Sequence, residues 1–327
     1  MSDKKFKILV ADNCSQSGLD EGLEICSNIE LDIRTKHTEA ELIEMIPEYD
    51  AMIVRSATKA TAPVIEAAKN LKIIARAGAG YNNIDVDACN KKGIAVIITP
   101  TGNTNAVIEL TLGLMLNWVR HISIGNQSMK EGKWEKKNLK GTELKGKTLG
   151  ILGIGRIGAG VAKICQVFGM KTIAYDVFVT EEFAQSIGVE LYENLNDFLS
   201  EVDFLSLHVP VTDSTRGMIG KEQFEIMKDT AVVVNCARGA VVNEKELYDA
   251  LVNKIIGGAC IDVYSKEPAT EEDFPFIRLD NVVCTPHLGA SSKEAQVNVA
   301  LLAANGIAQY LNDNKLINCV NEKSIKK

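Results

Sequence analysis

An α/β chain of two parallel-sheet domains, each Rossmann-like or flavodoxin-like and with a cleft between them, is predicted by three features of the sequence. Short apolar, β-branched runs alternate with amphipathic stretches from end to end, the pattern of repeated βα units. A glycine-rich turn, TLGILGIGRIG (148–158), lies near the middle, with about one hundred residues of the same alternation before it. At 327 residues the chain is also long for a single core.

The first domain opens on KILVA (7–11) and continues through AMIVR (51–55), KIIAR (72–76) and AVIIT (95–99). These runs are almost continuously apolar, as strands covered on both faces must be. Pro100 and Gly102 then interrupt the chain, and the apolar period of Asn103–Val119 predicts a long helix that makes the first crossover. The lysine-rich stretch KEGKWEKKNLKGTELKGK (130–147) reads equally as a solvated arm and as a functional one. Strands of the second domain follow at TLGIL (148–152), TIAYD (172–176), DFLSL (203–207), AVVVN (231–235) and NVVCT (281–285), with another strand ending in GGACID. Beyond PHLGA (286–290), Ser291 or Ser292 can cap a final helix running to residue 311, which is expected to return to the first domain. The expected division is residues 1–100 with 291–327 as a discontinuous first domain, and 101–290 as the second, which carries the glycine-rich turn.

Composition narrows the class. With 46% apolar and 24% charged residues the chain is that of a soluble globular protein. It has no run of 18 apolar residues, and its first strand begins almost at the N-terminus, so neither a membrane span nor a leader is expected and the location is cytoplasmic. Eight cysteines with no C-x-x-C pair point to reduced core thiols and to no metal. A net charge of −7 opposes nucleic-acid binding, so an anionic substrate would have to be met by local arginines.

Gly153, Gly155 and Gly158 form a G-x-G-x-x-G turn after an apolar strand. Gly153 permits the turn, Gly155 lets backbone approach a pyrophosphate, and Gly158 lets the next helix pack on the sheet with its N–H groups facing the phosphates. Asp176 ends the following strand, 18 residues beyond Gly158, where a carboxylate can accept from a ribose hydroxyl and repel a 2′-phosphate. VFVTEE (177–182) adds two acids and no arginine, which favours NAD over NADP.

Oxidising an alcohol with a nicotinamide requires a group that takes the hydroxyl proton, and histidine suits neutral pH. There are four. His37 sits in a polar stretch and reads as surface; His121 follows Arg120 near a helix end and reads as a cap or surface residue. His208 ends the strand DFLSL, but the turn at Pro210 suggests a backbone role there. His287, on a loop after NVVCT and beside small residues, is the preferred acid/base. Arg238, after a nearly continuous apolar run, can clamp a carboxylate and polarise a carbonyl oxygen. Glu267, with Asp262, lies at another strand end; a carboxylate on imidazole fixes its tautomer and favours imidazolium.

The runs CARGAVV (236–242), GACIDVYSKEP (258–268) and CTPHLGASS (284–292), with GILGIGRIG, resemble the NAD-dependent D-2-hydroxyacid dehydrogenases over most of the chain. IVRSATKAT (53–61), IARAGAGYNNIDVDA (74–88) and MKEGKWEKK (129–137) are most similar to the branch acting on 3-phosphoglycerate. The resemblance implies oxidation of that acid to 3-phosphohydroxypyruvate with NAD, the opening of the phosphorylated route to serine, by a homodimer. It makes His287 the acid/base, Glu267 its partner and Arg238 the orienting cation. It puts Arg156 and Ile157 on the pyrophosphate, Asp176 on the ribose, Cys236, Ala237 and Asp262 around the nicotinamide end, and Gly289 with Ala290 beside it. On the substrate it implicates Arg55, Ser56, Arg76, Ala77, Gly78 and Asn103. Backbone N–H groups of RAGAG would form a nest for a carboxylate, and Arg55 and Arg76 would suit a phosphate.

Departures from the family pattern touch binding. Lys136 stands where close relatives have arginine, at a position implied to reach the neighbouring subunit's substrate site; lysine keeps the charge and loses the fork. Ala79 and Val209 are apolar where relatives offer a hydroxyl, so Val209 would touch the cofactor through backbone. The chain ends soon after the final helix, and serine feedback through a further regulatory domain is therefore not expected. A glyoxylate or hydroxypyruvate reductase would share the three catalytic residues without needing a phosphate site. A non-enzymatic NAD-sensing corepressor would share the fold alone.

Overall fold

The computed structural model describes residues 5–326. The chain divides into two compact units, Met1–Thr104 with Ala290–Lys327, and Asn105–Gly289. In the first, β1 (Phe6–Val10), β2 (Ile29–Ile33), β3 (Ala51–Val54), β4 (Ile73–Arg76) and β5 (Ala95–Ile98) form a sheet in the order β2-β1-β3-β4-β5, and every pairing is parallel. This is the flavodoxin-like order. Alternation along each strand splits the apolar side chains between two layers. Ile8, Val10, Ile53, Ile73 and Ile97 pack with Val299, Ala303 and Ile307 of the helix Lys293–Asp313, while Leu9, Met52, Val54, Ile74 and Val96 pack with Leu42, Ile46, Val64 and Ile65.

The second unit holds β6 (Thr148–Leu152), β7 (Lys171–Tyr175), β8 (Glu190–Tyr192), β9 (Phe204–Leu207), β10 (Val232–Asn235), β11 (Gly258–Ile261) and β12 (Val282–Cys284). Their order, β12-β11-β10-β9-β6-β7-β8, is again parallel throughout and reverses between β6 and β9. It is the Rossmann order extended by one strand, and the reversal creates the switch point where ligands bind beyond the strands' C-terminal ends. One face of this sheet is covered by Phe198, Phe224 and Phe276, the other by Val107, Leu112 and Met115 of the helix Thr104–Arg120 together with Val161 and Cys165.

Two strands, β2 and β8, had no counterpart among the expected runs. Both lie at sheet edges, and IELDI and ELY carry charges on half-exposed backbones, as edge strands tolerate. The opposite edge of the first sheet is sealed by the chain's last segment: Val320 N donates to Val96 O (2.8 Å) and Ile98 N to Asn318 O (3.2 Å). The long helix begins at Thr104, and the first unit boundary falls there rather than at residue 100 because that helix supplies core to the second unit. Ser292, whose Oγ accepts from Ala295 N (3.0 Å), caps the final helix. Among the described residues no helix is long and apolar enough to cross a membrane.

Candidate active site

Six neighbouring strands of the second unit bring the candidate residues to one sheet end. After β6, Gly153 adopts φ +93, and a Cβ there would come within 2.7 Å of Val209 and 3.0 Å of the His208 carbonyl. Gly155 caps the helix Arg156–Val167 and has no atom within 4 Å of where its Cβ would lie. A Cβ on Gly158 would sit 2.3 Å from Gly153 O, so helix and turn touch backbone to backbone. Open space over Gly155 at a helix N-terminus, flanked by exposed Arg156 and half-buried Ile157, fits a pyrophosphate. Asp176 ties the turn to the end of β7: Oδ2 accepts from Ile154 N (2.8 Å) and Oδ1 from Phe178 N (2.8 Å). Each oxygen retains a lone pair for a hydroxyl.

At the end of β9, His208 N donates to Leu152 O (2.8 Å), and its Nε2 lies 2.8 Å from Ser206 Oγ. Dense packing pushes its pKa down to about 4, so the ring is neutral at physiological pH. After β10, buried Asn235 shapes the next turn by accepting from Ala237 N (3.1 Å) and donating to Arg238 O (3.0 Å). Burial pushes the Cys236 thiol up to about 12, leaving it neutral. Arg238 Nη1 donates to Ala237 O (2.6 Å); burial lowers the guanidinium's pKa and the nearby Glu267 charge opposes the shift.

After β11, Asp262 is wholly buried and spends its carboxylate on the loop beyond β12. Oδ1 accepts from Thr285 Oγ1 (2.6 Å) and Leu288 N (2.7 Å), Oδ2 from Gly289 N (3.0 Å), and its carbonyl from His287 N (2.9 Å). Burial raises its pKa against those hydrogen bonds. The carboxylate expected toward a nicotinamide thus organises the His287 loop. His287 itself has φ +55, a left-handed conformation that few non-glycine residues adopt and that cross-strand clamping sustains. Its Nδ1 lies 2.7 Å from Glu267 Oε2, while Glu267 Oε1 accepts from Tyr264 N (3.2 Å). A carboxylate can only accept, so Nδ1 carries the proton and Nε2 is left as the reactive nitrogen.

In the first unit, Asp12 Oδ2 accepts from Arg55 N (2.5 Å), and Arg55 Nη1 donates to Asn13 O (2.9 Å). Arg55 Nε and Asn103 Oδ1 are buried without a partner, and Ser56 is exposed. The anion nest expected of RAGAG is not formed as read: Ala77 N donates to Val54 O (2.9 Å) and Gly78 N to Arg76 O (2.8 Å). The Arg76 guanidinium, bound through Nη1 to Ala77 O (2.7 Å), occupies the space a Cβ on Gly78 would take. His37 is not simply a surface residue either, since its Nε2 meets Ala11 O (3.2 Å) and Thr58 Oγ1 (3.1 Å). Lys136 is exposed, in the arm after the helix Ile122–Lys130. Asp12, Thr58 and Asn235, which hold these loops, escaped sequence reasoning because only their tertiary contacts mark them.

Residues 112–289 match the D-isomer specific 2-hydroxyacid dehydrogenase, NAD binding domain, model. The D-3-phosphoglycerate dehydrogenase of Archaeoglobus fulgidus is 45% identical over 98% of this chain, which spans 60% of that relative's length. The hydroxypyruvate reductase of Thermotoga maritima is 51% identical over 83% of this chain and 88% of its own. Among solved structures, the NAD+-bound 3-phosphoglycerate dehydrogenase of Entamoeba histolytica superposes with a TM-score of 0.81 at 30% identity, covering 97% of this chain and 99% of that one. The chain therefore belongs to the D-isomer specific 2-hydroxyacid dehydrogenases, with the family's NAD-binding domain at residues 112–289.

Proposed function

We propose that the chain oxidises 3-phosphoglycerate to 3-phosphohydroxypyruvate with NAD, the first step of the phosphorylated route to serine, in the cytoplasm. The observation that carries the reaction type is the 2.7 Å contact of His287 Nδ1 with Glu267, which leaves Nε2 free to act as a base. NAD, when bound, supplies the hydride acceptor. His287 takes the C2 hydroxyl proton as hydride leaves carbon, and Glu267 stabilises the resulting imidazolium. Arg238 orients the carboxylate and polarises the developing carbonyl oxygen. In this reading Gly153, Gly155, Gly158, Arg156 and Ile157 hold the pyrophosphate and Asp176 the ribose. Cys236, Ala237 and Asp262 lie around the nicotinamide end with Gly289 and Ala290 beside it, and Val209 touches the cofactor through backbone. Arg55, Ser56, Arg76, Ala77, Gly78 and Asn103 take the acid, with Arg55 and Arg76 suiting its phosphate. Similarity to D-3-phosphoglycerate dehydrogenases along nearly the whole chain supports the phosphorylated substrate.

The reductase reading has its own support in the 51% identity to a hydroxypyruvate reductase. NADH consumption with 3-phosphohydroxypyruvate, hydroxypyruvate, glyoxylate and 2-oxoglutarate, with NADPH as the cofactor control, separates the two. We expect kcat/KM to favour the phosphorylated acid by at least about tenfold, a preference that Arg76→Ala removes. Preference for hydroxypyruvate or glyoxylate would move the protein to the reductases. His287→Asn should lower kcat at least about a hundredfold with NADH affinity unchanged, and undiminished turnover would remove His287 from the mechanism.

A further inference from the structure

Glu244 is the first residue of the helix Glu244–Val252, which Asn243 caps. Its side chain leaves the helix and grips Ser265 twice, Oε1 accepting from Ser265 N (2.9 Å) and Oε2 from Ser265 Oγ. The segment it holds is where the two halves of the proposed machinery meet. A Cβ on Gly239 would lie 2.1 Å from Tyr264 C and 2.3 Å from Ser265 N, so the turn carrying Arg238 rests backbone on backbone against Tyr264–Ser265. The Tyr264 N–H in turn donates to Glu267 Oε1, and Glu267 Oε2 receives His287 Nδ1. Residues 265–268 are exposed, and besides the Glu244 grip the segment is held by Lys266, whose Nζ donates to both carboxylate oxygens of Asp273 (2.7 and 2.9 Å). Burial raises the Glu244 carboxyl's pKa, and the Ser265 hydrogen bonds oppose that rise.

We propose that Glu244 is a positioning residue: by gripping Ser265 it sets Glu267 in hydrogen-bond register with His287 and seats the Arg238 turn. The inference rests on the acid/base reading of His287 and Glu267 given above. Glu244 touches no reacting atom, and its role is geometric. A glutamine can accept from Ser265 N and donate to Ser265 Oγ, so Glu244→Gln should preserve the arrangement that Glu244→Ala destroys.

The test is 15N NMR of histidine-labelled protein without substrate, on the neutral rings at pH 9, with His287 assigned from His287→Asn. The wild type should show His287 protonated on Nδ1. Glu244→Ala should show a mixture of tautomers and a kcat lowered about tenfold with NADH affinity unchanged, and Glu244→Gln should stay within about threefold of wild type. Ser265→Ala, a milder change at an exposed position, should shift the tautomer in the same direction. Wild-type tautomer and kcat in Glu244→Ala would overturn the proposal; should that variant fail to fold, the same outcome in Ser265→Ala would do so. A loss in Glu244→Gln equal to that in Glu244→Ala would also overturn it, since charge would then be what matters. Glu267→Gln separates the levels. If it disturbs tautomer and kcat while Glu244→Ala disturbs neither, only the role of Glu244 falls; if Glu267→Gln disturbs neither, the reading of Glu267 falls and this proposal with it.

Discussion

Single residues at this sheet end owe their behaviour to what lies across the strands from them. His287 and Glu267, singled out in the sequence on loops beyond apolar strands, meet at 2.7 Å in the fold. Asp262 and Asn235 could not be assigned their work that way. Their value lies in hydrogen bonds to backbone several residues on or a strand away, a relation no local spacing records. His208 shows the cost of such packing. Its pKa is pushed down to about 4, whereas an unfolded histidine titrates near 6.5. Below pH 6.5 the unfolded chain therefore binds a proton that the folded chain refuses. The stability this neutral ring contributes is whole above pH 6.5 and is lost as pH falls toward 4, amounting to roughly 2 kcal/mol between pH 7.5 and 4.5. Urea unfolding of the wild type and His208→Asn at those two pH values checks it. The variant should lose less stability than the wild type on acidification, and parallel losses would mean the ring is protonated in the folded protein.

Elements were legible where their sequence is continuously apolar. Strands β1, β3 to β7 and β9 to β12 announce themselves as apolar runs, whereas β2 and β8 are edge strands whose charged, partly exposed residues erase the signal. The RAGAG turn misled for a related reason. Its glycines do allow an unusual backbone, Gly78 standing at φ +146, but the first amides close hydrogen bonds inside the unit. How helices approach each other was not legible at all. The helix Gln16–Leu23 presents Gly22 to the final helix so closely that a Cβ would lie 2.4 Å from Leu301 O and 2.7 Å from Ala304 Cβ. Alanine there gains up to about 1 kcal/mol of helix propensity yet forces two backbones apart, and overpacking of this kind costs about 1–3 kcal/mol. We therefore expect Gly22→Ala to lower the urea midpoint of the first unit's unfolding, followed by amide exchange in β1 and β3. A raised midpoint would show that the helices can separate freely.

At the scale of the whole molecule, the alternation of strands and helices sufficed for two parallel sheets, while the homodimer expected from the resemblance is a question of surface. Ile122 is 54% exposed, Met129 58% and Trp134 77%, all within one short stretch that runs off the helix Thr104–Arg120. Large apolar groups clustered in this way on a solvated arm call for a partner, and a second copy of the chain is the partner the homodimer reading names. Sedimentation equilibrium should give twice the 35.6 kDa chain mass, and Met129→Glu with Trp134→Glu should return it to the monomer. Lys136 lies two residues beyond Trp134 and, on that reading, serves the partner's substrate site. A mixture of Lys136→Ala and His287→Asn chains decides whether it does. If Lys136 acts on the other copy, each mixed dimer has one site with both defects and one with neither, so activity returns on mixing. If Lys136 acts within its own chain, every site keeps one defect and mixing restores nothing, which would leave the arm a matter of assembly alone.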